Sequence, residues 1–216
     1  MTRRTCLRAL GGTAAAQFAR AAGGQPAADF EELFDGESLA GWTAVGGEPG
    51  IWHVAGGMLA ARPGKNWLST NRAFGDFDLR LDYRLERAGN SGVLLRAPHR
   101  GDPSYEGLEV QLLDDGARIY RQLRPEQHAG SIYGVIAARP GFAKPAGAWN
   151  RMAIRLEGGS VRVVLNGSCV VDARLDGQPP AVRLRHPGLA RSRGFIGLQA
   201  HETPVWFRNL AIRSVG

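Results

Sequence analysis

The strongest constraint on the fold is a strict alternation of apolar and charged residues between positions 76 and 86. The apolar members are Phe77, Leu79, Leu81, Tyr83 and Leu85, and every residue between them is charged. Successive side chains of a β-strand point to opposite faces, so this pattern predicts a strand with one buried and one solvated face.

Turn residues divide the rest of the chain into short segments. Of its 216 residues, 30 are glycine and 12 are proline. Gly56-Gly57 and Asn166-Gly167 each separate two apolar segments, which indicates tight β-hairpins. About a dozen such strands, with no helix of useful length, predict an all-β fold over residues 30–216, an antiparallel β-sandwich of the jelly-roll type.

Three of the predicted strands carry polar side chains on one face. These polar residues are Asn90 and Arg96 on one strand, Glu109 and Gln111 on the next, and Gln199 and His201 on a late strand. Carboxylate, amide, guanidinium and imidazole groups all form hydrogen bonds with hydroxyls. We expect these strands to line one concave sheet surface that holds a sugar.

Several other kinds of site are not expected. The chain has no glycine-rich phosphate loop and no strand-borne nucleophile elbow, and its five histidines lack the close spacing of a zinc site. A calcium or similar divalent cation held by loop oxygens would leave little trace in a sequence, so a cation remains possible and its ligands unknown. No apolar run of about 18 residues predicts a membrane span.

The net charge of +7 is concentrated at the N-terminus, where four arginines (Arg3, Arg4, Arg8 and Arg20) occur without an acid. This segment resembles a twin-arginine export signal over residues 1–21, followed by a loose mature terminus over residues 22–29. We therefore expect an exported, periplasmic or extracellular protein. The remaining charge is scattered beside acids, so a nucleic-acid partner is not expected.

A conventional glucanase needs two carboxylates flanking the scissile bond. The stretch from Glu109 to Asp114 resembles the catalytic strand of laminarinase-like sandwiches, but Gln111 occupies the position of the central carboxylate. An amide cannot transfer a proton as an acid or base, so this pattern disfavours a glucanase.

In order along the chain, a set of short motifs resembles the 3-keto-disaccharide hydrolase family, whose fold is a concanavalin A-like sandwich of the lectin and glucanase type. Singly each motif is weak, but together they cover nearly all of residues 30–213. They occupy residues 33–42, 52–59, 75–79, 89–98, 108–112, 143–145, 149–150, 165–167, 197–201 and 204–209.

This resemblance implies an enzyme that acts on a 3-keto-disaccharide or 3-keto-glycoside. A ketone at C3 acidifies the hydrogen at C2, so a base can remove that proton while the glycosidic oxygen leaves from C1. We expect Glu109 or His201 to act as base or acid, and Arg96, with Lys144, to stabilise negative charge. Hydroxyls would bind Asn90, Gln111 and Gln199, and a sugar ring would stack on Tyr133 or Trp149.

Each assignment has a structural alternative. Arg96 and Glu109 could form an ion pair across adjacent strands, His201 could have no role, and Lys144 could be a solvated loop cation. Trp42, Trp52 and Trp206 are expected in the core. At the level of the whole chain, the alternative to an enzyme is a non-catalytic carbohydrate-binding module.

Overall fold

A computed structural model describes residues 29–215, so the predicted export signal and most of the predicted mature terminus lie outside the described residues. The described chain forms thirteen strands, two short α-helices and three single-turn 3-10 helices, at Arg118–Tyr120, Pro125–Gln127 and Pro187–Ala190. The strands are β1 (Glu31–Glu32), β2 (Trp42–Val45), β3 (Trp52–Ala55), β4 (Met58–Ala61), β5 (Asn66–Phe74), β6 (Phe77–Leu85), β7 (Asn90–Ala97), β8 (Leu108–Leu113), β9 (Asn150–Glu157), β10 (Ser160–Leu165), β11 (Ser168–Arg174), β12 (Gly194–Ala200) and β13 (Val205–Ser214), and the helices are α1 (Pro103–Glu106) and α2 (Pro180–Arg185).

The strands form two antiparallel sheets, which confirms the predicted β-sandwich. The larger sheet has eight strands in the order β11-β10-β9-β6-β13-β4-β3, with β1 added beside β13. The smaller sheet has five strands in the order β2-β5-β12-β7-β8. The three strands predicted to carry the polar face, β7, β8 and β12, are therefore neighbours.

The core lies between the two sheets and follows the alternation in the sequence. The apolar residues of β6 are buried in it, and Val93, Leu95, Val110 and Leu198 reach it from the smaller sheet. Trp42 and Trp52 also lie in this core, as predicted. A second, smaller cluster of Trp67, Leu94 and Ala97 packs on the other side of the five-stranded sheet.

Both predicted two-residue hairpins are present. Gly56 and Gly57 join β3 to β4, and Asn166 and Gly167 join β10 to β11, with positive φ at all four residues. This is the geometry of tight turns whose twist matches that of the flanking strands. No helix among residues 29–215 is long and apolar enough to cross a membrane.

Candidate functional site

The outer side of the five-stranded sheet, which we call the cleft face, carries the predicted polar residues of β8 and β12. Gly92 on β7 pairs with Gln111 on β8, and Leu94 pairs with Glu109. Leu198 pairs with Val93, which places Gln199 beside Gly92 on the other side. Glycine therefore separates the two glutamines and leaves a gap in the row of side chains.

The carboxylate of Glu109 fills this gap. A Cβ at position 92 would overlap the Glu109 side chain and its Oε1 atom, so the carboxylate lies directly over the Gly92 backbone. Only glycine can occupy position 92 while Glu109 keeps this conformation. The sequence thus places one acidic group at the centre of the cleft face, between Gln111 and Gln199.

Glu109 lacks the partners that usually accompany a buried carboxylate. Its side chain is 3% exposed, and Oε1 has no hydrogen-bond partner. Burial raises the pKa of Glu109 to about 7, with a smaller rise from the charge of Asp102 and an opposing effect of the Ser104 hydroxyl. A carboxyl group with this pKa both accepts and releases a proton near neutral pH.

A cleft of about 550 Å³ lies over one part of this face, between β5, β12 and the segment that joins β7 to β8, and Glu109 is not among the residues that line it. Its volume falls within the range of small-molecule sites, roughly 300–1,000 Å³. Among the residues that line the cleft are Lys65, Trp67, His99, Ser104, Gln199 and His201.

His201, which directly follows β12, lines this cleft. Burial lowers the pKa of His201, so its imidazole is neutral at pH 7. Beside it, the ammonium of Lys65 and the carboxylate of Glu202 form an exposed ion pair at 3.1 Å. Gln199 on β12 and His201 just after it are thus placed together, on the opposite side of β7 from the strand that carries Glu109.

Asn90, Gln111 and Tyr133 complete the polar side of the cleft face near β8. Gln111 Nε2 donates to Asn90 Oδ1 at 3.0 Å, which orients both amides. Tyr133 N donates to the Glu109 carbonyl at 2.9 Å, so the loop after β8 runs along the sheet edge and places Tyr133 next to Glu109. Tyr133 packs edge-on against Tyr105, with ring centroids 6.2 Å apart.

Arg96 is not on this face, and the prediction that it would share it is wrong. Arg96 has a φ of 49°, and the pairing of β7 with β12 shifts register at this point. Such a bulge reverses the direction of the side chain relative to regular alternation. The guanidinium is 2% exposed and bonds to the carbonyl oxygens of Gly75, Gly158 and Arg191 and to the Asp76 carboxylate.

Arg96 also makes no ion pair with Glu109, so the alternative role suggested from the sequence is wrong as well. Its partner is Asp76 at 2.6 Å, at the start of β6 in the other sheet. Arg96 therefore ties the two sheets together at one end of the sandwich and cannot reach a sugar in the cleft.

Lys144 and Trp149 belong to the larger sheet and not to the cleft face. Trp149 precedes β9, which pairs with β6, and its ring lies 4.0 Å from the Arg208 guanidinium on the outer side of that sheet. Trp206 lies on the same outer side under Arg84, at 4.4 Å, so its predicted place in the core is wrong. Lys144 is exposed in a loop whose backbone N–H donates to Asn150 Oδ1 at 2.8 Å.

The alternation of apolar and polar residues could not identify several residues of the cleft. They come from loops and from a strand that the sequence did not assign to the site. Trp67 lies on β5, and His99, Asp102 and Ser104 lie between β7 and β8. The one indication in the sequence was that a polar loop joins two strands of the polar face. Among residues 29–215, no group of three or more histidine, cysteine or acidic side chains is placed to hold a metal ion.

Solved structures with the same fold include candidate glycosyl hydrolases and a carbohydrate-binding module. A candidate glycosyl hydrolase from Parabacteroides distasonis superimposes with a TM-score of 0.74 at 29% identity, covering 86% of this chain and 99% of that one. The carbohydrate-binding module CBM66 from Bacillus subtilis superimposes at 0.56 and 16% identity, covering 81% and 96%, and shares the fold alone.

A relative in sequence and a family model identify the family of this chain. A 3-keto-disaccharide hydrolase from Bacteroides thetaiotaomicron is 27% identical over 84% of this chain and 77% of its own length. The model of the 3-keto-alpha-glucoside-1,2-lyase-like domain matches residues 29–213, which include all thirteen strands apart from the last residue of β13. The chain therefore belongs to the family of 3-keto-alpha-glucoside-1,2-lyase-like domains.

Proposed function

We propose that this protein is a carbohydrate-active enzyme that cleaves 3-keto-disaccharides or 3-keto-glycosides, with Glu109 as the base. The observation that carries the proposal is the buried carboxylate of Glu109, whose Oε1 has no hydrogen-bond partner among the described residues and whose pKa burial raises to about 7. Family membership and the 3-keto-disaccharide hydrolase relative support the class of substrate.

The reaction begins with removal of the C2 proton of the oxidised sugar. Glu109 takes the proton, the C–H electrons form a C1–C2 double bond, and the glycosidic oxygen leaves C1 with the bonding pair. The proton at C2 and the oxygen at C1 are on adjacent atoms, so protonated Glu109 can then deliver a proton to the leaving oxygen. Addition of water to the resulting enone yields the free 3-keto sugar.

The remaining residues of the face suit the supporting roles. The transition state carries negative charge on the C3 oxygen, and preorganised hydrogen-bond donors stabilise such charge. Gln111 and Gln199 present amide groups on either side of Glu109. Neutral His201 is assigned to a hydrogen bond with the sugar or with the leaving oxygen, a role that requires no charge.

The turn that contains α1 limits the access of substrate to Glu109. Ser104 lines the cleft and also contacts Glu109, and both side chains are buried. The short turn that contains α1 therefore lies between the carboxylate and the cleft. A sugar bound over Gly92 must displace this turn, and its closure over the bound sugar would exclude water from the enolate.

The arrangement does not favour a conventional glucanase. Gln111 is the neighbour of Glu109 on the same face, and the nearby Asp102 caps α1 by accepting a hydrogen bond from Ser104 N at 2.9 Å. Elimination next to a ketone needs one base in place of two carboxylates flanking the bond.

The test is a product assay on the purified protein with a 3-keto disaccharide and its unoxidised form. We expect cleavage of the 3-keto sugar alone, with activity lost in Glu109→Gln and reduced to a lesser degree in His201→Ala. Asp82→Asn, on the outer side of the larger sheet, is the matched control. Binding of both sugars without cleavage would instead identify a carbohydrate-binding module, and equal cleavage of both would contradict the keto-assisted route.

A further inference from the structure

An imidazole that the proposed chemistry does not use is held in a fixed position over the cleft face. His99 stacks on Phe195 with ring centroids 3.8 Å apart and meets the edge of Trp67 at 5.5 Å. Its Nε2 atom lies 2.7 Å from the hydroxyl of Ser69. The ring is nevertheless solvent-exposed on its other side and lines the cleft.

The contact with Ser69 occupies one ring nitrogen of His99. The Ser69 hydroxyl is fully buried and lies 3.0 Å from the Thr70 carbonyl as well as next to His99 Nε2. Because Nε2 is engaged by this buried hydroxyl, Nδ1 is the nitrogen left for a ligand.

The spacing between Glu109 and the aromatic residue beside His99 suits a disaccharide. The Glu109 carboxylate lies over Gly92 on β7, and the Trp67 indole lies over Gly197 on β12. These strands are adjacent, so the carboxylate and the indole are one to two strand spacings apart across the face, roughly 5–10 Å. A sugar ring over Glu109 would place the ring linked to it beside Trp67 and His99.

We propose that His99 is a specificity-determining residue that forms, at Nδ1, a hydrogen bond with a hydroxyl of the second sugar ring, the ring that leaves. The inference rests on the proposed function for the identity of the substrate. Phe195, Trp67 and Ser69 act as positioning residues that hold the imidazole in this orientation. The enzyme thereby distinguishes a disaccharide from a glycoside with a small leaving group.

Two substrates separate this role from a general structural one. A 3-keto disaccharide of two glucose units has the second ring, and methyl 3-keto-glucoside lacks it. We expect His99→Ala to raise KM for the disaccharide about tenfold, the effect of one lost hydrogen bond, with kcat within about twofold. KM for the methyl glucoside should change less than about twofold.

His99→Phe is the second variant, because it keeps the stacking on Phe195 and Trp67 and removes only the ring nitrogens. It should raise KM for the disaccharide as His99→Ala does. His53→Ala, a histidine change on β3 of the larger sheet, is the matched control and should alter neither substrate. An equal effect of the His99 variants on both substrates, or no effect on either, would overturn the inference.

A binding measurement distinguishes failure of this inference from failure of the proposed function. Calorimetric titration with the unoxidised disaccharide and with methyl glucoside needs no turnover. If the wild type cleaves neither 3-keto substrate but His99→Phe weakens disaccharide binding alone, the inference survives and the proposed reaction does not. If the wild type cleaves the 3-keto disaccharide and the variants bind both sugars as well as the wild type does, only the inference fails.

Discussion

The outer faces of the two sheets arise from the same alternating pattern, but the carboxylates on one face form ion pairs and the buried carboxylate on the other does not. On the eight-stranded sheet, Asp82 accepts a hydrogen bond from Asn209 at 2.7 Å and forms ion pairs with Arg151 and Arg208. Asp78 on the same strand pairs with two other arginines. These charges balance one another, and the face needs no ligand.

On the five-stranded sheet, Glu109 is buried, and no lysine or arginine of residues 29–215 forms an ion pair with it. Burial of a carboxylate without a partner costs free energy, and the cost appears as a raised pKa. Perturbed groups of this kind concentrate at functional sites. The comparison therefore supports the proposal that a sugar binds on the smaller sheet, while the larger sheet has a structural role.

The largest expected effect comes from the same type of substitution on the two faces. Glu109→Gln should reduce kcat/KM for a 3-keto disaccharide by about 10²–10⁴, the usual contribution of a general base. Asp82→Asn should leave kcat/KM within about twofold, because Asp82 faces away from the cleft. Steady-state kinetics on both variants checks this, and a comparable loss in each would remove the distinction between the faces.

Arg96→Ala tests whether the guanidinium is structural. Removing one partner of a buried pair typically costs about 3–5 kcal/mol, so the free energy of unfolding should fall by this order. The kcat of the folded fraction should be unchanged. Urea unfolding measures the stability, and kinetics at low temperature measure kcat. A stable Arg96→Ala variant without activity would show that Arg96 acts in catalysis.

The raised pKa of Glu109 predicts how stability depends on pH. The folded state, with a pKa of about 7, binds more protons than the unfolded state, whose pKa is the ordinary 4.5. Stability should therefore fall as pH rises between these values, by an amount on the order of 3 kcal/mol. Chemical unfolding of the wild type and Glu109→Gln over pH 4.5–8 measures the difference, and parallel curves would refute it.

Asp82→Asn should reverse the stability effect of Glu109→Gln. The substitution leaves two arginines near an uncharged amide, and we expect a loss of about 1–3 kcal/mol. Glu109→Gln removes a buried ionisable group and should instead be more stable than the wild type at pH 8. Thermal unfolding of both variants at this pH decides the sign of each effect.

The smallest expected effect concerns the residues that the sequence placed in the site and the structure does not. Trp149→Ala and Lys144→Ala should leave KM for a 3-keto disaccharide within about twofold. Trp67→Ala, a tryptophan change inside the cleft, is the matched comparison and should raise KM. A larger rise in KM for Trp149→Ala than for Trp67→Ala would place the sugar on the eight-stranded sheet and contradict the proposed site.

Local patterns predicted the strands, the hairpins and most of the polar face. Alternation correctly assigned Glu109, Gln111 and Gln199 because the period of a regular strand fixes which residues share a face. The family motifs added the chemistry. Neither approach could identify Gly92 as the position over which the carboxylate lies, since that depends on the register of two strands.

The errors have identifiable physical causes. Arg96 was assigned to the wrong face because one residue with positive φ interrupts the alternation, and an arginine gives no sign of it. Trp149 was assigned to the wrong sheet because β9 pairs with β6, a contact distant in sequence. His99 was missed because its position depends on a loop that folds back across the sheet.

The most direct test of the central claim follows the C2 hydrogen of the substrate. A 3-keto disaccharide carrying deuterium at C2 of the oxidised ring should be cleaved more slowly than the unlabelled sugar, and its product should lose the deuterium to water. Glu109→Gln should abolish both cleavage and exchange. Cleavage at an unchanged rate, with the deuterium fully retained at C2 of the product, would contradict proton abstraction by Glu109.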